Sequence, residues 1–476
     1  MKKNYLHLIR SGSWIVSIAL VSLIPVNVKS QENYDPWIQA ENIVSSLRLP
    51  IFKNSLYRIT DFGAVANSDS DCSESINIAI KTCSDQGGGT VLIPEGIYLT
   101  GPVYLKSNVN LHLEEGAILK FSTLTTDYLP AVLTRWEGVD CYNYSPLIYA
   151  YREKNIAITG KGILDGQSDN THWWPWKGRP ASGGESGMQN QSNPEGRSLL
   201  MEYNNDETPV EERIFGEGHY LRPPFIQTYQ CENILIEGIA IINSPFWVIH
   251  PLLSENIIIR EVYINSIGPN NDGCDPESSK NILIENCRFN TGDDCIAIKS
   301  GRNNDGRRWN IPSENIVIRN CEMQEGHGGV VIGSEISGGC RNIFVSDCKM
   351  NSPQLDRAIR IKTNAERGGI IENVFVKNIE IGQVKEAVFK IDCTYETKSE
   401  EGDFPPVIQN IYLENITSQK SKYPVYLIGL TARQCIQNIY LTNIKFNGIE
   451  KESRITGVSN IIFKDVFING EHYEVE

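Results

Sequence analysis

The phrases ENILI (232–236), ENIII (255–259), KNILI (280–284) and ENIVI (314–318) decide the fold of this chain. Each phrase places Asn ahead of alternating apolar, mostly β-branched residues, which is the period-two pattern of a β-strand. The repeat asparagines are Asn155, Asn233, Asn256, Asn281, Asn315, Asn342, Asn373, Asn410, Asn438 and Asn460. From Asn233 onward they lie 22 to 37 residues apart, which is too sparse for hairpins and indicates the coils of a solenoid.

A coil of this kind buries its apolar face only when neighbouring coils stack on it at ~4.8 Å. We therefore predict an all-β fold, a single-stranded right-handed parallel β-helix. The repeat Asn is expected at a turn, where it tolerates left-handed geometry and bonds the equivalent Asn of adjacent coils.

Three of the twelve cysteines share one position in the repeat. Cys287, Cys321 and Cys348 each follow their repeat Asn by six residues, so the coils should stack them at one inward position. We expect them to act as small buried hydrophobes. A metal site or a disulfide is the alternative, although a spacing of ~4.8 Å exceeds the ~3.8 Å Cβ separation of a disulfide.

The N-terminal segment has the pattern of an export signal. Lys2, Lys3 and Arg10 precede a short apolar stretch from Trp14 to Val26, and the residues before Gln31 suit cleavage. We predict a signal peptide at 1–30 and export to the periplasm or the extracellular medium. The apolar stretch is shorter than the ~20 residues of a spanning helix, so no membrane span is expected.

The remaining chain is predicted to form an N-terminal extension at 31–56 and one β-helix catalytic domain at 57–476. Within that domain, SESINIAIKTC at 73–83 is helix-like and should form an N-terminal helical cap over the open end of the coil stack.

One interval between repeats is much longer than the others. Asn155 and Asn233 are 78 residues apart, which predicts a loop insertion near 170–225 on one face of the solenoid. It contains THWWPWKGRP, with His172, Trp173, Trp174 and Trp176. These indoles either stack on sugar rings or pack the insertion onto the body, and the sequence leaves both readings open.

The charge balance excludes some partners. The chain has 44 Lys and Arg against 58 Asp and Glu, a net charge of -14, whereas a nucleic-acid binder would carry a basic stripe. A polyanionic substrate would require positive charge concentrated at the site itself.

Four short polar phrases fall on four successive coils and carry the chemistry. They are NNDGCD at 270–275, TGDDC at 291–295, GHGG at 326–329 and RIK at 360–362. Glycoside hydrolysis needs one protonated carboxyl and one ionised carboxylate. Asp272, Asp293 and Asp294, crowded on two coils, cannot all ionise freely, so one should keep its proton.

Neighbouring residues of a strand point to opposite faces, so Asp293 and Asp294 share the site only if the backbone kinks, as Gly292 permits. His327 is a candidate to tune a carboxylate or bond a sugar. Arg360 and Lys362 lie on one face and suit the carboxylate of a uronic acid. Read separately, each of these residues has an ordinary structural interpretation.

Together the four phrases resemble the signature of glycoside hydrolase family 28, the polygalacturonases, with their pectin-lyase-like solenoid. The resemblance extends from about residue 57 through the repeats. The family pattern Asn-Thr-Asp is met at 270–272 with Asn271 in place of Thr, and the other three patterns are unchanged.

The resemblance implies inverting hydrolysis of α-1,4-galacturonosidic linkages in homogalacturonan or pectin. Asp293 is similar in position to the general acid, and Asp272 and Asp294 to the pair that activates water. His327 resembles the residue that supports the acid. The implied substrate-binding residues are Asn270, Arg360, Lys362 and a tyrosine, for which Tyr395 is the candidate. Inversion predicts acid and base carboxyl groups ~6.5 to 9.5 Å apart.

We expect exo action, because the insertion could close one end of the cleft. The expected partner is a pectic polysaccharide or oligogalacturonide, with no metal, no cofactor, no nucleic acid and a monomeric chain. Three alternatives stay open: an exo enzyme acting on rhamnogalacturonan, a calcium-dependent pectate lyase in which the aspartates hold calcium, and a β-helix that binds polysaccharide without cleaving it.

Overall fold

The computed structural model describes residues 35–474, so the signal peptide predicted at 1–30 lies outside the described residues. The strands are almost all parallel and stack coil upon coil. The chain is a right-handed parallel β-helix, as its repeats predict.

Sheet 1 is built from the repeat phrases, with each strand paired in parallel to the equivalent strand of the next coil. Its strands are Leu56–Arg58, Gly89–Ile93, Val109–Leu113, Lys154–Gly160, Glu232–Glu237, Glu255–Arg260, Lys280–Glu285, Ser313–Arg319, Cys340–Ser346, Ile370–Gln383, Val407–Lys420, Ile436–Phe446 and Val458–Ile468.

Sheet 2 follows sheet 1 within each coil after one turn. Its separate strands are Gly96–Thr100, Ala117–Phe121, Ile163–Asp165, Ala240–Ile242, Tyr263–Ser266, Arg288–Thr291, Glu322–Met323 and Lys349–Met350. From Ile370 onward the long strands of sheet 1 run on into this position, as the pairing of Lys349 with Glu380 shows.

Sheet 3 completes each coil and carries the chemical phrases. Its strands are Val103–Tyr104, Ile148–Tyr151, Ile226–Tyr229, Ile249–Leu252, Ile296–Ile298, Val330–Ile332, Arg357–Lys362, Ala387–Asp392, Tyr423–Ile428 and Arg454–Thr456. Bridges at Cys274 and Glu277 join Ile249–Leu252 to Ile296–Ile298, so the sheet is continuous through the coil that holds Asp272.

Among residues 35–474, two strand pairings are antiparallel. Val132–Trp136 and Val139–Asn143 form a hairpin whose tip, Glu137 and Gly138, lies against Arg302. Glu471–His472 pairs with the end of the last long strand.

Four α-helices and several short turns of helix complete the described chain. The helices are α1 (Pro36–Ser46), α2 (Ser73–Asp85), α3 (Leu199–Asn205) and α4 (Asn303–Trp309). The 3₁₀ turns are Ile59–Phe62, Thr125–Tyr128, Trp174–Lys177, Pro180–Ser182 and Val210–Glu212, and Pro194–Ser198 is a π turn. Within residues 35–474, no helix combines the length and apolar character needed to cross a membrane.

Helices α1 and α2 cover different parts of the solenoid. The predicted capping segment forms α2, which buries Ile76, Ala79 and Ile80 in the same core as the first strands. Helix α1, in the predicted extension, packs Ala40 and Ile43 on the outward apolar residues of sheet 1. The domain boundary at residue 57 remains a prediction.

The predicted asparagine ladder is present. Every repeat Asn has a left-handed backbone, with φ between 52° and 59°. Side-chain amides bond from coil to coil, for example Asn315 to Asn281 and Asn342 to Asn315, both at 3.0 Å. Asn256 also exchanges two hydrogen bonds with the backbone of Arg48, which fastens the segment after α1 to the ladder.

A second ladder stands five residues after the first and was not predicted. Asn286, Asn320, Asn378, Asn415 and Asn443 also have left-handed backbones, at the turn between sheets 1 and 2. Asn415 donates to Asn378 at 3.2 Å and Asn443 to Asn415 at 2.7 Å. In the sequence, this position is the residue immediately before Cys287, Cys321 and Cys348.

The cysteines are small buried groups, as expected. Cys287, Cys321 and Cys348 are each 1% exposed, and all twelve cysteines are buried and free. Full burial in the core is the arrangement expected of small hydrophobic side chains.

We predict that Asn315→Ala lowers the stability of the folded chain by about 2 to 3 kcal/mol, because it removes two side-chain hydrogen bonds and forces Ala into left-handed geometry. Asn315→Gly loses the same bonds without that strain and should lose less. Urea unfolding should rank the midpoints as wild type, then Gly, then Ala. An Ala variant more stable than the Gly variant would contradict this explanation.

Candidate active site

The chemical phrases meet where successive strands of sheet 3 begin. Asp272 precedes the bridge at Cys274, and Asp293 and Asp294 precede Ile296–Ile298 on the next coil. His327 precedes Val330–Ile332, which pairs with Arg357–Lys362, the strand that carries Arg360 and Lys362. Parallel register therefore brings residues up to 90 positions apart in the chain to one edge.

The three aspartates form one cluster. One oxygen from each of Asp272, Asp293 and Asp294 lies within 4.8 Å of the others. Asp272 and Asp294 are 3% and 0% exposed, and the cleft reaches Asp293. The backbone bends between Thr291 and Ile296, and Gly292 fits there because a Cβ would come 2.0 Å from the carbonyl oxygen of Gly268.

The distance of 4.8 Å is an upper limit between one oxygen atom of each aspartate. Inversion and retention are distinguished by a different distance, the one between the acid carboxyl group and the base carboxyl group. Inversion therefore stays a prediction.

Asp294 is held by the predicted substrate clamp. Lys362 Nζ lies 2.6 Å from Asp294 Oδ2, and Arg360 Nη1 lies 3.6 Å from Asp294 Oδ1. Both cations stand 5.2 Å from the ring centre of Tyr395, which places this tyrosine beside the clamp. Asn270 lines the cleft too, and its Oδ1 accepts a hydrogen bond from Arg222 at 2.9 Å.

Asp293 is paired with His327, whose Nδ1 lies 2.9 Å from its Oδ1. Burial favours a higher pKa for Asp293, but the hydrogen bond and charge of His327 outweigh it and leave that pKa below its usual range. The same hydrogen bond raises the pKa of His327 to about 9. The pair therefore holds a proton on the imidazole, in contact with an ionised carboxylate.

Asp272 has a contrasting environment. Burial, then repulsion from Asp275 and Asp293, raises its pKa well above the usual range, although Lys299 opposes this. Lys299 Nζ lies 3.7 Å from Asp272, 3.5 Å from Asp275 and 3.1 Å from Glu335. The raised pKa of Asp272 and the lowered pKa of Asp293 therefore favour a protonated Asp272 beside an ionised Asp293.

Lys299 and Asp275 were missed from the sequence. Lys299 is 2% exposed, and its ammonium lies 4.4 Å from the ring centre of Trp247. Asp275 is fully buried, and both of its carboxylate oxygens lack a hydrogen-bond partner. Lys299 lies in the alternating segment CIAIKS (295–300), and that pattern does not predict a buried lysine.

The cluster opens into a cavity of about 570 Å³, one wall of which is formed by the insertion. Arg197 pairs with Glu137 at 2.7 Å and approaches Glu396 at 3.9 Å. Arg302 pairs with Glu335 at 2.8 Å and lies 3.4 Å from Glu396. The insertion is therefore fastened by ion pairs to the hairpin tip and to the segment after Ala387–Asp392.

The tryptophans of the insertion pack it onto the body. Trp173 is 3% exposed and contacts Tyr128 and Trp176 with ring centres 5.4 and 5.0 Å apart. Trp174 Nε1 donates to the carbonyl of Ser244 at 2.8 Å. The packing reading is correct for these residues, and the indole that lines the cavity is Trp247. His172 is exposed and pairs with Asp169.

The donor set of the cluster is poorly suited to calcium. The three carboxylates have the proximity that a metal requires. However, Lys362 already bonds Asp294, Lys299 faces Asp272, and His327 bonds Asp293. A dication would have to compete with three cationic side chains for the same oxygens.

Comparison with known proteins agrees with this geometry. The family model described as glycosyl hydrolases family 28 matches residues 216–464. A solved exopolygalacturonase from Thermotoga maritima is 45% identical, with a TM-score of 0.88 over 92% of this chain and 97% of its own.

Two curated relatives are more distant. A "Probable polygalacturonase" of Vitis vinifera is 28% identical over 80% of this chain and 73% of its own. An exo-poly-alpha-D-galacturonosidase of Dickeya chrysanthemi is 24% identical over 86% of this chain and 70% of its own. The chain is a glycoside hydrolase that belongs to family 28.

Proposed function

We propose that this enzyme removes galacturonate from the ends of homogalacturonan by hydrolysing α-1,4 linkages. The observation that carries the proposal is the shared cavity: three carboxylates, a carboxylate-bound imidazole and several cations line one cleft that the insertion walls. The Thermotoga maritima and Dickeya chrysanthemi proteins, both described as exo-acting, support the same activity.

The proposed roles follow from where protons are held. His327 keeps a proton next to Asp293, so this pair can deliver one to the leaving oxygen. Substrate that displaces water from the cleft would raise the cost of an ionised Asp293 and favour transfer of the proton onto it. Asp294, which Lys362 holds in place, and Asp272, once Lys299 stabilises its ionised form, would activate water.

Exo action is proposed from the wall of the cavity. An enzyme that cuts within a polymer needs a cleft open at both ends. Here the ion pairs of Arg197 with Glu137 and Glu396 tie the insertion across the cleft. A chain end fits such a cavity more readily than the middle of a polymer.

The other readings fit less well. A calcium-dependent lyase would need carboxylates that the cations of the cluster already occupy. A protein that only binds polysaccharide would not need crowded carboxylates, one with a raised pKa (Asp272) and one with a lowered pKa (Asp293). Rhamnogalacturonan is the comparison substrate for the first experiment. We further propose export through residues 1–30, a catalytic domain at 57–476 and a monomeric enzyme.

Product analysis tests the proposal. With long homogalacturonan, we expect ¹H NMR to show monogalacturonate alone at early times, and first as the β-anomer if the mechanism inverts the α-linkage. Rhamnogalacturonan should release much less. Early mixtures of oligomers would contradict exo action, and an unsaturated, chelator-sensitive product would contradict hydrolysis.

Asp293→Asn should lower kcat by about 10² to 10⁴-fold, the usual contribution of a general acid, because the amide cannot deliver a proton. Reducing-sugar release measures this. Asp347→Asn is the matched control, since Asp347 stands in the second ladder where neighbouring coils carry Asn. Equal activity of both variants would remove Asp293 from the proposed mechanism.

The protonation of His327 can be measured separately. Its imidazole should stay charged as pH rises past neutrality and lose its proton near pH 9, because Asp293 stabilises the cation. In Asp293→Asn this support is gone, so the titration should move to lower pH. Nitrogen NMR of labelled histidine measures both, with Asp347→Asn as control. An unchanged titration in Asp293→Asn would contradict the proposed pair.

A further inference from the structure

Of the three cations that the insertion contributes to the cavity, Lys177 and Arg179 have no role in the proposed chemistry or in fastening the cavity wall. Lys177 and Arg179 both line it, with Gly178 between them. Among residues 35–474, neither side chain has a hydrogen bond or an ion pair with a carboxylate within 4.0 Å. The other Lys and Arg side chains that line the cavity are each paired with a carboxylate; they are Arg197, Lys299, Arg302 and Lys362.

A buried guanidinium adds to the positive charge at this place. Arg222 is 0% exposed and donates to the carbonyls of Pro245 and Pro269 at 2.9 and 2.6 Å. Its second amino group bonds Gln191 in the insertion and Asn270 beside the catalytic cluster. Within the described chain no carboxylate lies within 4.0 Å of it, and Glu137 and Asp293 act on its charge only from a longer distance.

The cations are close enough to influence one another. Burial lowers the pKa of Lys177 to about 8, Glu137 opposes this, and the charges of Arg222 and Arg179 lower it further. Asp293 also acts on Lys177, which places this ammonium within electrostatic reach of the proposed acid. A carboxylate bound here would relieve the repulsion among the cations.

The turn that holds these side chains is closely packed. The amides of Ser182 and Gly184 both donate to the carbonyl of Arg179 at 2.9 Å. Gly178 has a left-handed φ of 76°, and a Cβ there would come 2.6 Å from the side chain of Asn190. The backbone amide of Gln191 donates to Trp176 at 2.9 Å, which fixes this turn next to Arg222. The two cations are therefore presented from a fixed backbone.

The position of the turn relative to the carboxylates identifies the sugar that it faces. Arg222 anchors the insertion at Asn270, on the Asp272 side of the cluster, whereas His327, Lys362 and Tyr395 lie on later coils. In an inverting displacement, water and its base stand across the anomeric carbon from the leaving oxygen and its acid. With Asp272 serving water and Asp293 the leaving oxygen, the sugar being released lies toward the insertion.

We propose that Lys177 and Arg179 form a subsite for the carboxylate of the non-reducing terminal galacturonate. This deepens the proposed exo activity and rests on it. The enzyme would then require a free acid on the residue that it removes, and a methyl ester there would block it. Hydrolysis of uronate methyl esters would have to come before this reaction on esterified pectin.

The test compares three digalacturonates: the free acid, the methyl ester of the non-reducing residue and the methyl ester of the reducing residue. For wild type, the non-reducing ester should lower kcat/KM by about 10 to 100-fold, the range of a lost hydrogen bond to a charged group. Lys177→Met and Arg179→Met should each lose a similar factor on the free acid and little on the non-reducing ester.

Discrimination against the non-reducing ester should therefore collapse in both variants, and sensitivity to the reducing ester should not change. Lys161→Met is the control, since Lys161 is well exposed and its nearest acid, Glu115, lies 3.7 Å away on the surface. Equal losses on all three substrates, or a change confined to the reducing ester, would overturn the subsite. If wild type cleaves none of them, the proposed function itself fails.

A binding measurement separates recognition from turnover. In the Asp293→Asn background, calorimetry should detect galacturonate more readily than galactose, and adding Lys177→Met should reduce that preference to what Arg360 and Lys362 supply. Equal binding of the two sugars in both proteins would overturn the subsite.

Discussion

The fold depends on a left-handed turn that must recur once in every coil. A residue in this conformation ordinarily costs about 1 to 2 kcal/mol, and Asn is among the few side chains that accept it. The ladder offsets this cost, because each amide bonds the coil before it and the coil after it. Register is fixed by this requirement, and a shift by one residue would turn the apolar face of every strand outward.

Fixed register is what allows a buried cluster of charge to exist. Asp272, Asp293 and Asp294 come from two coils, and their cations come from the end of the second coil, at Lys299, and from a later one, at Lys362. Taking these groups out of water costs several kcal/mol each unless they are paired with good geometry. A rigid sheet supplies the geometry, and the different charges nearby, carboxylates for Asp272 and the His327 imidazole for Asp293, produce their opposite pKa shifts. The chemistry of the site is therefore a consequence of coil stacking.

Features that follow a local sequence rule were predicted, whereas features that depend on contacts between coils were not. The repeat Asn and the four chemical phrases were readable because each obeys a local rule, and coil spacing then brought them together. Lys299 was not readable, since its burial depends on Glu335 and Trp247, which lie in other coils. The two interpretations of Trp173 could not be separated either, because an aromatic ring looks the same in sequence whether it faces Tyr128 or a sugar. No periodic pattern in the sequence predicts that helix α1 packs on the outer face of sheet 1.

Net charge is the other quantity that sequence alone leaves ambiguous. A chain of charge -14 repels a polyuronate at long range, but salt screens this repulsion beyond about 10 Å. Binding inside the cavity therefore depends on the charged groups that line it. Inside it, the solenoid pairs its own cations with carboxylates, which leaves them little surplus charge for a substrate. The surplus comes from Lys177 and Arg179 in the insertion and from Arg222 beneath them. The solenoid thus provides the reacting groups, while the non-repeating segment provides the charge that selects an acidic sugar and the wall that selects its end.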